Sequence, residues 1–200
     1  ADKAPTVKIT AVANGNFTGS RSMNFKIYPA DMPGFTITPY SGSYDGADHE
    51  VVSITPADGF TDYAVYYSTD NQETWSTTVP TITDAGTLDF YVKVTQPNYK
   101  DWISGKQTAT VTPVALDSSM LSFNNNTTGI YYYTGQEVNP EITVKDSNRM
   151  LVPGTDYTLS YTNNTSVSTE SSKAKVTITA TNGNYTGSAS AEFNIEYANK

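Results

Sequence analysis

In the stretch VTITATNGNYTGSASAEFNIEY, residues 176–197, apolar and polar side chains alternate on either side of a glycine-containing turn. Val176, Ile178 and Ala180 share one face, and Thr177 and Thr179 the other. Ala191, Phe193, Ile195 and Tyr197 alternate with Ser190, Glu192, Asn194 and Glu196. Successive side chains of a strand point to opposite faces, so this pattern specifies two strands, each with one buried face. Asn182-Gly183 between them tolerates the positive φ of a hairpin turn.

The same period recurs outward from this point. Leu88, Phe90, Val92 and Val94 alternate with Asp89, Tyr91 and Lys93; Val7, Ile9 and Ala11 form a further run, as do Met23, Phe25 and Ile27. Asn14-Gly15 sits between the last two. No window of a dozen residues sustains a 3.6-residue apolar pattern. Pro29, Pro33, Pro39, Pro113 and Pro153 fall at the ends of runs, where a missing N–H costs least. Many short strands punctuated by turns predict an all-β chain built as sandwiches.

The chain also repeats itself. Val176–Thr179, Gly183–Ser188 and Phe193–Tyr197 match Val7–Thr10, Gly15–Ser20 and Phe25–Tyr28, and a looser copy runs through Val92–Thr95, Asn98–Lys100 and Ala109–Thr112. The opening half of the unit recurs as well. Tyr44-Asp45-Gly46 matches Tyr133-Thr134-Gly135, and Asp62–Tyr67 matches Asp156–Tyr161. The Asn-aromatic pairs lie roughly 80–90 residues apart, one Ig-sized sandwich. The expected organisation is a C-terminal half-unit over 1–30, a complete sandwich over 33–116 and another over 117–198. The half-unit, lacking a partner sheet, is expected to pack against the next unit or to pair with another copy of the chain.

Composition bounds the function. Twenty Asp and Glu against twelve Lys and Arg leave a net charge of −8, a field that repels nucleic acid and anionic membranes. There are no cysteines, hence no disulfides, thiolate metal sites or thiol nucleophile. Fifteen Tyr and seven Phe supply core area that aliphatic residues would otherwise provide. No apolar run approaches the roughly 18 residues of a membrane span, and the first residues lack a signal-peptide pattern. The expectation is a piece of a longer protein, with any export signal or wall anchor outside it.

Tyr44-Asp45-Gly46, Tyr133-Thr134-Gly135, Gly154-Thr155-Asp156-Tyr157 and Gly183-Asn184-Tyr185-Thr186-Gly187, in this order and spacing, resemble the tandem bacterial Ig-like repeats of large surface proteins, the MBG and YDG types. Tyr67-Ser68-Thr69-Asp70, Thr74-Trp75-Ser76 and Thr83-Asp84-Ala85-Gly86-Thr87 are similar to the same kind of module. The resemblance implies tandem Ig-like β-sandwich repeats in an extracellular, cell-wall-linked array, serving as adhesin or spacer, with structural motif residues and no inherited active site. Pro97-Asn98-Tyr99-Lys100-Asp101 lacks the usual glycines, and Phe17 stands where Tyr is usual. The Asn-aromatic motif reads as a plug in which the ring tucks under the end of its own sandwich.

Candidate chemistry is sparse. His49, the sole histidine, lies next to a turn, has no nucleophile signature to serve, and reads as an exposed turn residue. Asp45, Asp48 and Glu50 cluster locally, as do Asp58, Asp62 and Asp84; the first group has hard oxygens suited to Ca²⁺ but no EF-hand spacing. Lys26 and Lys93 are the residue type that forms isopeptide cross-links in stalk domains resembling these. Trp75 and Trp102 are the candidate sugar-stacking rings, joined by Tyr132 if it faces solvent. The resulting expectation is a non-catalytic stalk, spacer or adhesin region with no cofactor or metal, whose partners are neighbouring repeats. The alternative is a module that binds carbohydrate or host protein, accessory to a secreted enzyme.

Overall fold

A computed structural model of the chain describes residues 5–12, 15–57 and 59–198. Asn14 of the first predicted turn and Asp58 of the second acidic cluster lie outside them, as do parts of the 1–30 unit. The described residues are all-β apart from one 3₁₀ turn, Ser118–Met120, capped by Asp117.

The first unit is a hairpin of β1 (Thr6–Thr10) and β2 (Ser20–Asn24). The middle unit contains β3 (Phe35–Pro39), β4 (Ser41–Ser43), β5 (His49–Glu50), β6 (Val52–Pro56), β7 (Ala64–Ser68), β8 (Thr81–Ile82), β9 (Gly86–Thr95), β10 (Trp102–Ile103) and β11 (Gln107–Thr112). After β12 (Val114–Ala115), the last unit runs through β13 (Leu121–Phe123), β14 (Ile130–Tyr132), β15 (Ile142–Asp146), β16 (Arg149–Met150), β17 (Tyr157–Thr162), β18 (Ala174–Ala180), β19 (Tyr185–Thr186) and β20 (Ser188–Glu196).

Both larger units use one plan. The opening strand divides between two sheets: β3 pairs antiparallel with β6, and beyond Tyr40 the chain crosses so that β4 runs parallel to β11. In the last unit β13 pairs with β15, and β14 runs parallel to β20. The larger sheets have the same order, β4-β11-β9-β7 and β14-β20-β18-β17, with β10 added beside β9 in the middle unit. Two sheets with a switching first strand make an Ig-like sandwich.

The predicted inward faces form the cores. Phe90, Val92, Val94, Val176, Ile178 and Ile195 are fully buried, and Phe193 nearly so. Phe35, Ile37 and Ile54 of the facing sheet pack on the middle-unit core. In the last unit Phe123, Tyr131 and Phe193 close into a ring triad with centroids 5.5–6.1 Å apart, in the edge-to-face geometry that the ring quadrupoles favour. Tyr197 departs from the expected alternation. It lies past the end of β20 and is exposed.

The hairpin follows the predicted register, Val7 opposite Met23 and Ile9 opposite Arg21, but does not pack against the next unit. Val7, Ile9, Met23, Phe25 and Ile27 are all exposed, and none joins either core cluster among the described residues. The adjacent end of the middle unit is filled by its own rings, Phe35, Phe60, Tyr63 and Tyr99. Among the described residues only the linker crosses over: Ala30 pairs in parallel with Tyr99, and Lys100 Nζ meets Asp31 at 2.7 Å.

The whole chain exposes 13339 Å². A compact globule of the same mass, 21.7 kDa, would expose about 9200 Å². The exposed hairpin contributes to this excess, while one apolar cluster runs from Tyr44 and Phe90 of the middle unit to Tyr157 and Tyr185 of the last.

Candidate functional site

The richest side-chain constellation lies where the two sandwiches meet. The linker enters as a strand: Val114 and Ala115 of β12 pair in parallel with Tyr185 and Thr186 of β19. Ala30 pairs with Tyr99 in the same sense one unit earlier. The linker at Pro113 therefore adds a short strand, and the linker at Pro29 a single bridge, to the Asn-aromatic loop of the unit that follows. Backbone pairing removes the freedom a simple tether would keep.

Tyr185 sits at the centre, 2% exposed, and its ring meets Tyr44 of the middle unit edge-on at 5.7 Å. The Arg149 guanidinium lies over both rings, 4.6 Å from Tyr44 and 5.9 Å from Tyr185. Arg149 Nη1 is buried with no hydrogen-bond acceptor among the described residues, so the ring faces are its compensation. The Tyr185 hydroxyl donates to Asp146 Oδ2 at 3.3 Å, and burial pushes that hydroxyl up to about 12. Asn184 completes the joint. Its Oδ1 accepts from Ala85 N at 2.7 Å, and its Nδ2 donates to Asp84 at 3.0 Å.

The Asn-aromatic motif is thus a clamp on the preceding unit rather than a plug under its own sandwich end alone. The plug is visible too. Asn182 Oδ1 accepts from the Asn184 and Tyr185 amides, while its Nδ2 donates to the buried Asp156. Asp156 Oδ2 accepts from Val152 N, tying the loop to the β16–β17 turn.

Gly46 explains the glycine of the Tyr-x-Gly motif. Its φ is +77°, and an added Cβ would lie 2.9 Å from Arg149 Nη1. Gly46→Ala is expected to cost about 1 kcal/mol in backbone strain and to push the guanidinium off Tyr44. Broadened interdomain distances between spin labels on the two units, with both sandwiches still folded, would show it. An unchanged distance distribution would refute the clamp.

A cleft of about 810 Å³ opens beside the joint, lined among others by Tyr44, Asp45, Val114, Asp146 and Arg149. Asp45 Oδ1 accepts from Ala47 N and meets His49 Nε2 at 2.9 Å, and these bonds hold its carboxyl below the usual range. Asp48 accepts from the Thr83 hydroxyl. No group of three or more metal-type ligands gathers among the described residues. His49 is not an exposed turn residue. It lies in β5, half-buried, stacked on Tyr40 with centroids 4.3 Å apart.

The three candidate ligand-binding rings lie apart in role. Trp75 is half-buried with Lys93 Nζ 4.4 Å over its ring, and the same ammonium is 5.2 Å from Tyr66. Trp102 packs on Phe35 at 5.2 Å. Tyr132 is exposed, as its alternation with the inward Tyr131 predicts. Lys26 lies beyond the end of β2, exposed.

The motif Tyr67-Ser68-Thr69-Asp70 and Thr74-Trp75-Ser76 forms a stapled loop. Asp70 accepts from the Ser68 hydroxyl and from the Thr74 amide and hydroxyl, while Tyr67 and Ser76 exchange backbone bonds. These donors, Ser68 first, lower the Asp70 carboxyl to about 2. A depressed folded value means that the staple is at full strength above the ordinary carboxylate pKa and is lost as pH falls through about 2. Carboxyl carbon shifts should titrate with that midpoint, and an ordinary midpoint near about 4 would contradict it.

Arg149 and Asp146 were not legible as site residues, because their hairpin has no counterpart among the described residues of the middle unit. One signal was present. Pro29-Ala30 and Pro113-Val114 stand at matching positions before the two complete units.

The fold and its interlocked joint define a chain of Ig-like β-sandwich modules. The family model described as the MBG domain matches residues 131–199, so the resemblance to MBG-type repeats holds for the C-terminal unit. No curated protein matches. Among solved structures, a chimeric titin Z1Z2 carrying an exogenous decorin peptide aligns at 15% identity, covering 82% of this chain and 98% of that chain. Its TM-score of 0.24 is too low to bear on the fold.

Proposed function

We propose that the chain is a non-catalytic, extracellular repeat region of a bacterial cell-surface protein, acting as a semi-rigid stalk or spacer that presents what lies beyond it. The observation that carries this reading is the joint. Tyr44, Arg149, Tyr185 and Asn184 lock two sandwiches that are also coupled by backbone pairing at β12. A site built for turnover needs converging reactive groups; the buried polar groups at this joint are committed to holding neighbours together. Neighbouring repeats are the partners that this geometry serves. Adhesion to a host glycan or protein is the second reading, favoured by Tyr132 alone, which stands exposed on the edge strand β14.

Small-angle scattering tests the stalk reading. A compact 200-residue globule has a radius of gyration of about 16 Å. A value well above this, with a narrow distribution of intermodule distances, is the expected result. A compact particle, or a broad distribution typical of a free hinge, would sink it.

A further inference from the structure

The exposed hairpin has the register of half a sandwich. Val7 opposite Met23 and Ile9 opposite Arg21 correspond to Val176 opposite Ala191 and Ile178 opposite Ala189. Phe25 and Ile27 then follow as Phe193 and Ile195 do. In the last unit Val176, Ile178 and Ile195 are 0% exposed and Phe193 is 2% exposed, whereas Val7, Ile9, Phe25 and Ile27 are 52, 72, 46 and 74% exposed. The difference is one-sided. The opposite hairpin face carries Thr6, Lys8, Thr10, Ser20, Ser22 and Asn24.

The last unit shows what covers such a face. Phe123, Tyr131, Val138 and Tyr161 pack on Ala174, Phe193 and Ile195. Strand β17 pairs along β18, and β14 runs parallel to β20. All of this cover comes from residues 121–162. Charge points the same way. Residues 5–28 hold Lys8, Arg21 and Lys26 and no acid, in a chain of net charge −8. Residues 121–162 hold Glu137, Glu141, Asp146 and Asp156 against Lys145 and Arg149, a net of −2.

We propose that residues 5–28 are an acceptor for the first half of an MBG-type module: an acidic partner segment patterned like residues 121–162. It adds one strand antiparallel along Val7–Thr10, one parallel to the edge at Phe25–Tyr28, and an apolar sheet over Val7, Ile9, Phe25 and Ile27. A second copy's hairpin is a poorer occupant, since it would set another Arg21 against the Arg21 already on that face and bring together two hairpins that each carry three cations and no acid. Sheet edges that flank an exposed apolar face are the usual acceptors for strand addition.

The test uses the full chain and, as probe, a synthetic peptide of its own residues 117–165. Saturable binding weakened by salt is expected, with amide exchange in Thr6–Thr10 and Ser20–Tyr28 slowed about 100-fold. Phe25→Asp should abolish both effects. Should the peptide prove insoluble, the same segment fused through a flexible linker ahead of residue 1 should give the same protection and a further cooperative unfolding transition. Three outcomes would overturn the proposal: unchanged exchange in both formats, binding that survives Phe25→Asp, or self-association of the free chain through the hairpin.

Discussion

Replacing Tyr185 with alanine is expected to destabilise the C-terminal sandwich by about 3–5 kcal/mol, the usual cost of emptying a buried aromatic site, and to release it from its neighbour. The ring is 2% exposed, contacts Tyr44 and lies beneath the Arg149 guanidinium. Its loss leaves Asp146 without the tyrosine hydroxyl and removes one of the two ring faces that Arg149 covers. Both tryptophans lie in the middle unit, which separates the two effects. In a urea titration, tryptophan fluorescence follows the middle sandwich, while far-ultraviolet dichroism reports both. The dichroism should show an early transition for the last unit. The fluorescence midpoint should fall by a smaller amount, because the middle unit loses only its joint contacts, where the cation–π interaction is worth about 0.5–2 kcal/mol. An unmoved fluorescence midpoint would mean that Tyr185 serves its own loop and nothing across the joint.

The second large effect is a contrast. Phe193 and Phe25 occupy the same position of the repeat, yet Phe193 is 2% exposed and Phe25 is 46% exposed. Phe193→Ala removes one member of the triad with Phe123 and Tyr131 and should cost about 3–5 kcal/mol. Phe25→Ala in the isolated chain should cost under about 0.5 kcal/mol, as surface changes do. Denaturant midpoints of the two variants against the parent chain measure this directly. Equal losses would show that the hairpin already has a partner sheet in solution.

The cores were legible because β9, β18 and β20 run for seven residues or more with strict alternation. The inward residues Phe90, Val92, Ile178 and Phe193 could be named from period alone. The strand switch was not legible. Ser41-Gly42-Ser43 carries no apolar alternation, and its place is set by parallel pairing with a strand about seventy residues away. The joint was hidden for a related reason. Arg149 is one basic residue in a polar turn, and only the docking of two folded bodies places it on Tyr44. Trp75 looked available from sequence. Its ring is covered because Lys93 projects from β9 towards it, a cross-strand relation that depends on register. The aromatic loop was recognised as structural, but its reach across the boundary depends on Asn184 meeting Asp84, 100 positions earlier.

The parallel pairing of each sandwich's opening and closing segments has a mechanical consequence. When a chain anchored at one end is pulled from the other, β14 and β20 are drawn past each other along their length, as are β4 and β11. Their hydrogen bonds then bear the load together instead of parting one at a time like a zipper. Such a geometry resists tearing under flow, and it yields abruptly once the whole row gives way.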